Sequence, residues 1–183
     1  DFSNLSIPAI ETTPFALKIK NDPGSSEYLL IENRQPLGFD QNLWGCGLAI
    51  WHVDPSVSTG NNSGWCNGAV GAAHSMIALE QADAFCDLET SANRGDVDDL
   101  YSLATVSTFD ANTTPSSRPY SNVDSGVKLS NISDCGLPMT VDLTVRPLPI
   151  DETRELDVLF IFDTSGSYWD DLPNMLAQMP SVM

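Results

Sequence analysis

Between Phe15 and Lys20 apolar and polar side chains alternate, with Phe15, Leu17 and Ile19 on one face of an extended chain and Lys18 and Lys20 on the other. A period of two is the signature of a strand buried on one side. Two later runs, Glu27 to Asn33 and Gly47 to Val53, are more continuously apolar and are bounded by Pro or Gly. They predict strands buried on both faces, near the centre of a sheet. A shorter strand is expected from Ser75 to Glu80. From Asp83 to about Ser125 the chain is dense in Asp, Asn, Ser, Thr and Pro, which predicts loops. Val127 to Ser133 and Met139 to Val145 predict two further strands. In the second of these, Met139, Val141, Leu143 and Val145 alternate strictly with Thr140, Asp142 and Thr144.

Arg146-Pro147-Leu148-Pro149 follows, and its two prolines cannot donate to a sheet ladder. Residues 147–155 therefore read as a stiff linker. Beyond it, Leu156 to Phe162 predicts a compact apolar strand that ends in the polar loop Asp163-Thr164-Ser165-Gly166-Ser167. A helix is expected to begin near Trp169, with Asp170 and Asp171 in its first turn and Leu172, Leu176 and Met179 on one face. Residues 1–146 are thus expected to form one β-rich unit, and 156–183 the opening strand and helix of an α/β unit. With Asp at position 1, no signal peptide and too few residues to finish that second unit, the chain reads as a piece of a longer secreted protein.

Composition narrows the classes. A hydrophobic content of 42% requires a packed core, and the longest apolar run, Val158 to Phe162, is too short to span a bilayer. Eight basic residues against 25 acidic ones give a net charge of −17, which repels nucleic-acid phosphates and anionic membranes. The same carboxylates suit hard divalent cations, calcium above all. The cysteines at 46, 66, 86 and 135 lack the Cys-x-x-Cys spacing of a zinc or redox site. Two disulfides are expected, with Cys46–Cys66 and Cys86–Cys135 chosen from three pairings, and disulfides place the protein in an oxidising, extracellular setting. Asn4, Asn61, Asn112 and Asn131 each open an Asn-x-Ser/Thr sequon.

Little in the chain can carry hydrolysis. The two histidines, His52 and His74, belong to no His-Glu-x-x-His pair, and no Gly-x-Ser-x-Gly elbow supports a serine nucleophile. His52 shares a strand face with Leu48 and Ile50, so it is expected to be a packed or hydrogen-bonded core histidine. Gly95-Asp96-Val97-Asp98-Asp99-Leu100 gathers three carboxylates in a loop, and Asp96, Asp98 and Asp99 are candidate calcium ligands. Tyr101 and Ser107 stand where an EF-hand needs Gly and Glu, and the rival reading is a solvated acidic turn.

Six motifs, in order along residues 25 to 145, resemble the immune inhibitor A type of secreted metallopeptidase. They are Glu27 to Gln35 (EYLLIENRQ), Gly38-Phe39-Asp40, Gly47 to Asp54 (GLAIWHVD), Leu79 to Asp83 (LEQAD), Gly95 to Leu100 (GDVDDL), and Ser125-Gly126 leading into Leu129 to Ser133. The resemblance implies the β-rich C-terminal lobe of an α+β metallopeptidase domain, exported and commonly calcium-stabilised, whose parent is a zinc endopeptidase cleaving extracellular proteins. The zinc helix of that family would lie outside this sequence. No zinc ligand or general base carries over to any position here, and no catalytic residue is assigned. In the first motif Arg34 is expected either to fork onto a carboxylate or to end a surface strand.

The tail is similar to another family. Asp157 to Ser167 (DVLFIFDTSGS) resembles the first strand and cation motif of a von Willebrand factor A domain, in which Asp163, Ser165 and Ser167 would face a magnesium or similar ion. The later loops that complete such a site are missing. The Asp-Thr-Gly loop of aspartic proteases fits less well, because Ser165 separates Thr164 from Gly166. The expected whole is mostly β: a portion of a zinc metalloendopeptidase, followed by a truncated adhesion-like domain that would contact a surface or protein ligand. The alternative is a non-catalytic, calcium-binding surface or adhesion module.

Overall fold

The alternating runs fold as strands. The computed structural model describes residues 1–20, 25–58 and 74–146, and the backbone of 158–162. Its elements are β1 (Phe2–Ile7), β2 (Phe15–Ile19), β3 (Tyr28–Arg34), β4 (Gly47–Val53), β5 (Ile77–Leu79), a short helix α1 (Asp87–Thr90), β6 (Val127–Ser130), β7 (Met139–Val145) and β8 (Val158–Phe162). The strands form two antiparallel sheets, ordered β1-β7-β6 and β5-β4-β3-β2-β8. The fold is mostly β, as expected.

Register explains the core. Leu17 lies opposite Ile31, and Ile31 opposite Ile50, so one face of the larger sheet carries a continuous apolar row. Leu17, Ile31, Leu48 and Ile50 are fully buried there. The smaller sheet answers with Ile7, Leu129, Met139 and Val141, and both rows join a single cluster closed by Tyr101, Phe109 and Ile132. Each such side chain contributes roughly 1.5–3 kcal/mol by leaving water. As expected, β3 is central in its sheet and β4 lies beside it. In β4 only Trp51 is less than buried.

One strand escapes a reading by alternation. β1 pairs with β7, but its register shifts between Phe2 and Leu5, and Asn4 adopts φ 53° within the irregularity. The extra residue puts Phe2, Leu5 and Ile7 out of a strict period of two. The loop region likewise contains α1, and Leu48–Tyr101 and Phe109–Leu129 bridges tie it to both sheets. Strand β8 pairs with β2 along Phe15–Ile19, at the edge of the larger sheet. The linker at 147–155 and the helix expected near Trp169 lie outside the described residues.

The expected disulfide pairing requires correction. Cys46 is bonded to Cys135, with their Cα atoms 5.8 Å apart, and Cys86 is also disulfide-bonded, to a partner outside the described residues. Cys46 immediately precedes β4, whose Gly47 pairs with Arg34 at the end of β3. There the buried Asn33 side chain donates to the carbonyls of Ile7 and Gly136. That contact draws the loop before β7 onto the larger sheet, so Cys135 meets Cys46 through tertiary proximity. The bridge joins the two sheets.

Candidate functional site

The acidic loop is shaped by its own backbone. Asn93 Oδ1 accepts from Gly95 N–H at 2.8 Å, Asp99 Oδ2 from Asp96 N–H at 2.7 Å, and Asp96 Oδ1 from Asp98 N–H at 2.9 Å. Short side chains that bond backbone groups nearby favour such turns over helix or sheet. Gly95 sits at φ +104°, where a β-carbon would come within 3.3 Å of Asp99 Oδ2. Asn93 also donates to Asp87 at the start of α1 and to Asp96.

Two long-range links place this loop. Tyr101 and Leu48 exchange backbone hydrogen bonds at 2.8 and 3.0 Å, pinning the end of the loop to the start of β4. The approach is so close that a β-carbon on Gly47 would lie 2.6 Å from the Tyr101 carbonyl oxygen. Ala82 N–H then donates to the Asp99 carbonyl at 2.9 Å, bringing the turn after β5 alongside. Asp83 arrives with it.

The result is a trio in which Asp83, Asp96 and Asp99 can each offer an oxygen within 4.8 Å of the other two. Asp99 is only 4% exposed, and its Oδ1 is buried without a hydrogen-bond partner. Burial, reinforced by neighbouring aspartates, raises the pKa of both Asp83 and Asp99 above the ordinary carboxylate value. The hydroxyl of Tyr101 is also buried without a partner, and its pKa is raised by burial and by Glu80 and Asp83. This is a pocket of surplus negative charge with an orphaned acceptor.

Such an arrangement fits a hard cation. Calcium takes six to eight oxygens, and three carboxylates would supply part of that set, loop carbonyls and water the remainder. Of the expected ligands, Asp96 and Asp99 converge, whereas Asp98 is exposed and stands apart from the trio. Asp83 is not legible as a ligand in the sequence because it lies 13 positions before Asp96; its trace there is its place in the Leu79 to Asp83 motif. Asp163, Ser165 and Ser167 lie outside the described residues.

A second polar cluster is built around His52. His52 is 3% exposed, with Nε2 2.8 Å from Glu27 Oε2 and Nδ1 3.2 Å from Glu80 Oε1. Tyr120 stacks on it at 4.1 Å and stacks on His74 at 3.9 Å, while His74 Nε2 reaches Asp54 Oδ2 at 3.2 Å. Burial disfavours the imidazolium, but the bonds to Glu27 and Glu80 outweigh it and lift the pKa to about 9. His52 is therefore the hydrogen-bonded core histidine expected from its strand face.

Arg34 spans two carboxylates. Its guanidinium meets Asp40 Oδ2 at 2.7 Å and both Glu32 oxygens at 3.1 Å, and Trp51 Nε1 donates to Glu32 Oε1 at 2.6 Å. Arg34 and Asp40 form one wall of a cleft of about 230 Å³ on the outer side of the larger sheet, with Leu43, Trp44, Trp51, Leu79 and Leu88 among its lining. Arg94, Asp96 and Asp99 form another part of the wall, so the cleft adjoins the acidic trio.

Comparison with protein-family models finds no match, and no curated protein matches the chain. Among the described residues no helix is long and apolar enough to cross a membrane.

Proposed function

We propose that this chain is a calcium-binding β lobe of a secreted metallopeptidase-like protein, supplying scaffold and binding surface rather than a reacting group. The observation that carries the reading is the buried, unpartnered Oδ1 of Asp99 within a trio of converging carboxylates. An anionic oxygen removed from water without a partner costs several kcal/mol, and a divalent cation offsets that cost. Calcium would thereby fix the acidic loop to the turn after β5.

The metallopeptidase half of the reading rests on the resemblance of residues 25–145. It is supported by where the motifs fall, since GLAIWHV of the third forms β4, and LEQAD and GDVDDL supply the trio beside it. The parent would cleave extracellular proteins with a zinc ion held outside this sequence.

Calorimetric titration with calcium and with magnesium tests the cation site. Saturable calcium binding at one site, lost in Asp99→Asn together with Asp96→Asn, is expected; heats indistinguishable from buffer would refute it. For the parent, zinc content and chelator-sensitive proteolysis by the complete secreted protein are expected. Calcium binding without zinc or hydrolysis would instead leave a non-catalytic adhesion module.

A further inference from the structure

The cleft beside the acidic trio has features that metal binding does not use. Its lining is mainly apolar, built from Leu43, Trp44, Trp51, Leu79 and Leu88 around Ala49. Trp44 is 73% exposed, and Leu43 is exposed beside it. An open tryptophan next to a concave apolar surface with a few convergent polar groups has the make-up of a recognition site.

Its polar groups are unequal. Arg34 is already held by Glu32 and Asp40, and Trp51 Nε1 by Glu32. Arg94 and Trp44 Nε1 have no hydrogen-bond or ion-pair partner among the described residues. In a chain with eight basic residues against 25 acidic ones, a guanidinium without a carboxylate is notable. Two free donors, one of them cationic, thus stand in a cleft with leucine and tryptophan walls. Trp and Arg are also the residues that most often dominate binding energy at interfaces.

We infer that this cleft binds an extended polypeptide, taking one large apolar side chain between Trp44, Trp51 and Leu79 and an adjacent carboxylate on Arg94. The leucines favour a peptide side chain over a sugar, whose hydroxyl edges they could not satisfy. The inference shares a wall with the proposed calcium site, through Asp96 and Asp99, but calcium binding can stand without it. Calcium at the trio would neutralise Asp96 and Asp99, which line the same cleft as Arg94, so the peptide carboxylate binds more tightly in calcium-saturated protein than in chelator.

The test uses N-acetylated, C-amidated Ala-Phe-Asp, with Ala-Phe-Asn and Ala-Ala-Asp as controls and a chitin tetrasaccharide as the carbohydrate arm. Binding is followed through the Trp44 and Trp51 indole N–H signals in a ¹H–¹⁵N spectrum at saturating calcium. Saturable shifts with Ala-Phe-Asp are expected, weakening about tenfold for either control peptide. Trp44→Ala and Arg94→Gln, both at exposed positions, should each weaken binding by a similar factor, and Arg94→Gln should abolish the preference for Asp over Asn. Unchanged thermal unfolding of the two variants shows that they fold. No saturable shift, binding indifferent to both variants, or shifts produced by the tetrasaccharide alone would overturn the inference. If calcium still binds in that event, the cation site stands and only the peptide cleft falls.

Discussion

Two polar regions, which come within three positions of each other in sequence at Glu80 and Asp83, solve the problem of buried charge in opposite ways. Around His52 a single imidazolium bridges two carboxylates, Glu27 and Glu80, so every buried charge there has a partner, and Tyr120 covers the ring. Around Asp99 three carboxylates meet with no cation among the described side chains of the trio, and one oxygen has no partner. The first region is complete as an element of the core. On the proposed reading the second gains its balance from a bound cation, which would separate a structural cluster from a binding one even though both are acidic and rich in hydrogen bonds.

Removing His52 should break the comparison most severely. His52→Ala leaves Glu27 and Glu80 as buried anions, and a loss of about 3–5 kcal/mol in urea unfolding is expected. A change below 1 kcal/mol would mean that the cluster is not held by charge. Titration should show the same dependence more gently. Because the His52 pKa is raised in the folded state, its stabilisation is full below the unfolded value of 6.5 and is lost as pH rises through about 9. The shift corresponds to roughly 3 kcal/mol, read as a falling unfolding midpoint between those two pH values. A flat profile there would contradict the assignment.

The acidic trio should respond with a change of sign. A carboxyl whose pKa is raised by folding destabilises the ionised protein, so without calcium Asp99→Asn should raise stability by about 1–2 kcal/mol. With saturating calcium the same substitution should lower stability relative to the parent chain. Scanning calorimetry with and without chelator reads both arms, and the same sign in both would remove the cation from the account. Asp98→Asn gives the smallest effect, within about 0.5 kcal/mol in either condition, because Asp98 is exposed and outside the trio.

Much of this contrast could be read from the sequence, and the remainder has a physical reason for being hidden. β2 and β7 follow from alternation and β3 and β4 from their continuous apolar runs, because each sends a row of side chains into one shared core, which β6 also joins. β1 does not, since its bulge breaks the period. His52 declared itself through Leu48 and Ile50 on its own strand, but its partners Glu27 and Glu80 come from neighbouring strand ends and depend on register. The acidic loop was visible as a local run of aspartates. Asp83 was not, because a single backbone bond from Ala82 to Asp99 brings it in. The disulfide pairing failed for the same reason: Cys46 and Cys135 meet only after Asn33 has drawn two distant segments together.

The cross-sheet bridge also bears on how the protein carries tension. Cys46 and Cys135 are 89 positions apart, so a pull on the two ends cannot extend the segment between them while the bond is intact. At about 3.4 Å per residue that segment stores roughly 300 Å of contour length. In an optical trap, oxidised protein should lengthen only by its flanking segments, including β1, β2 and β3 before Cys46 and β7 beyond Cys135. A reductant then acts as a release catch, adding slack to the tether without further force.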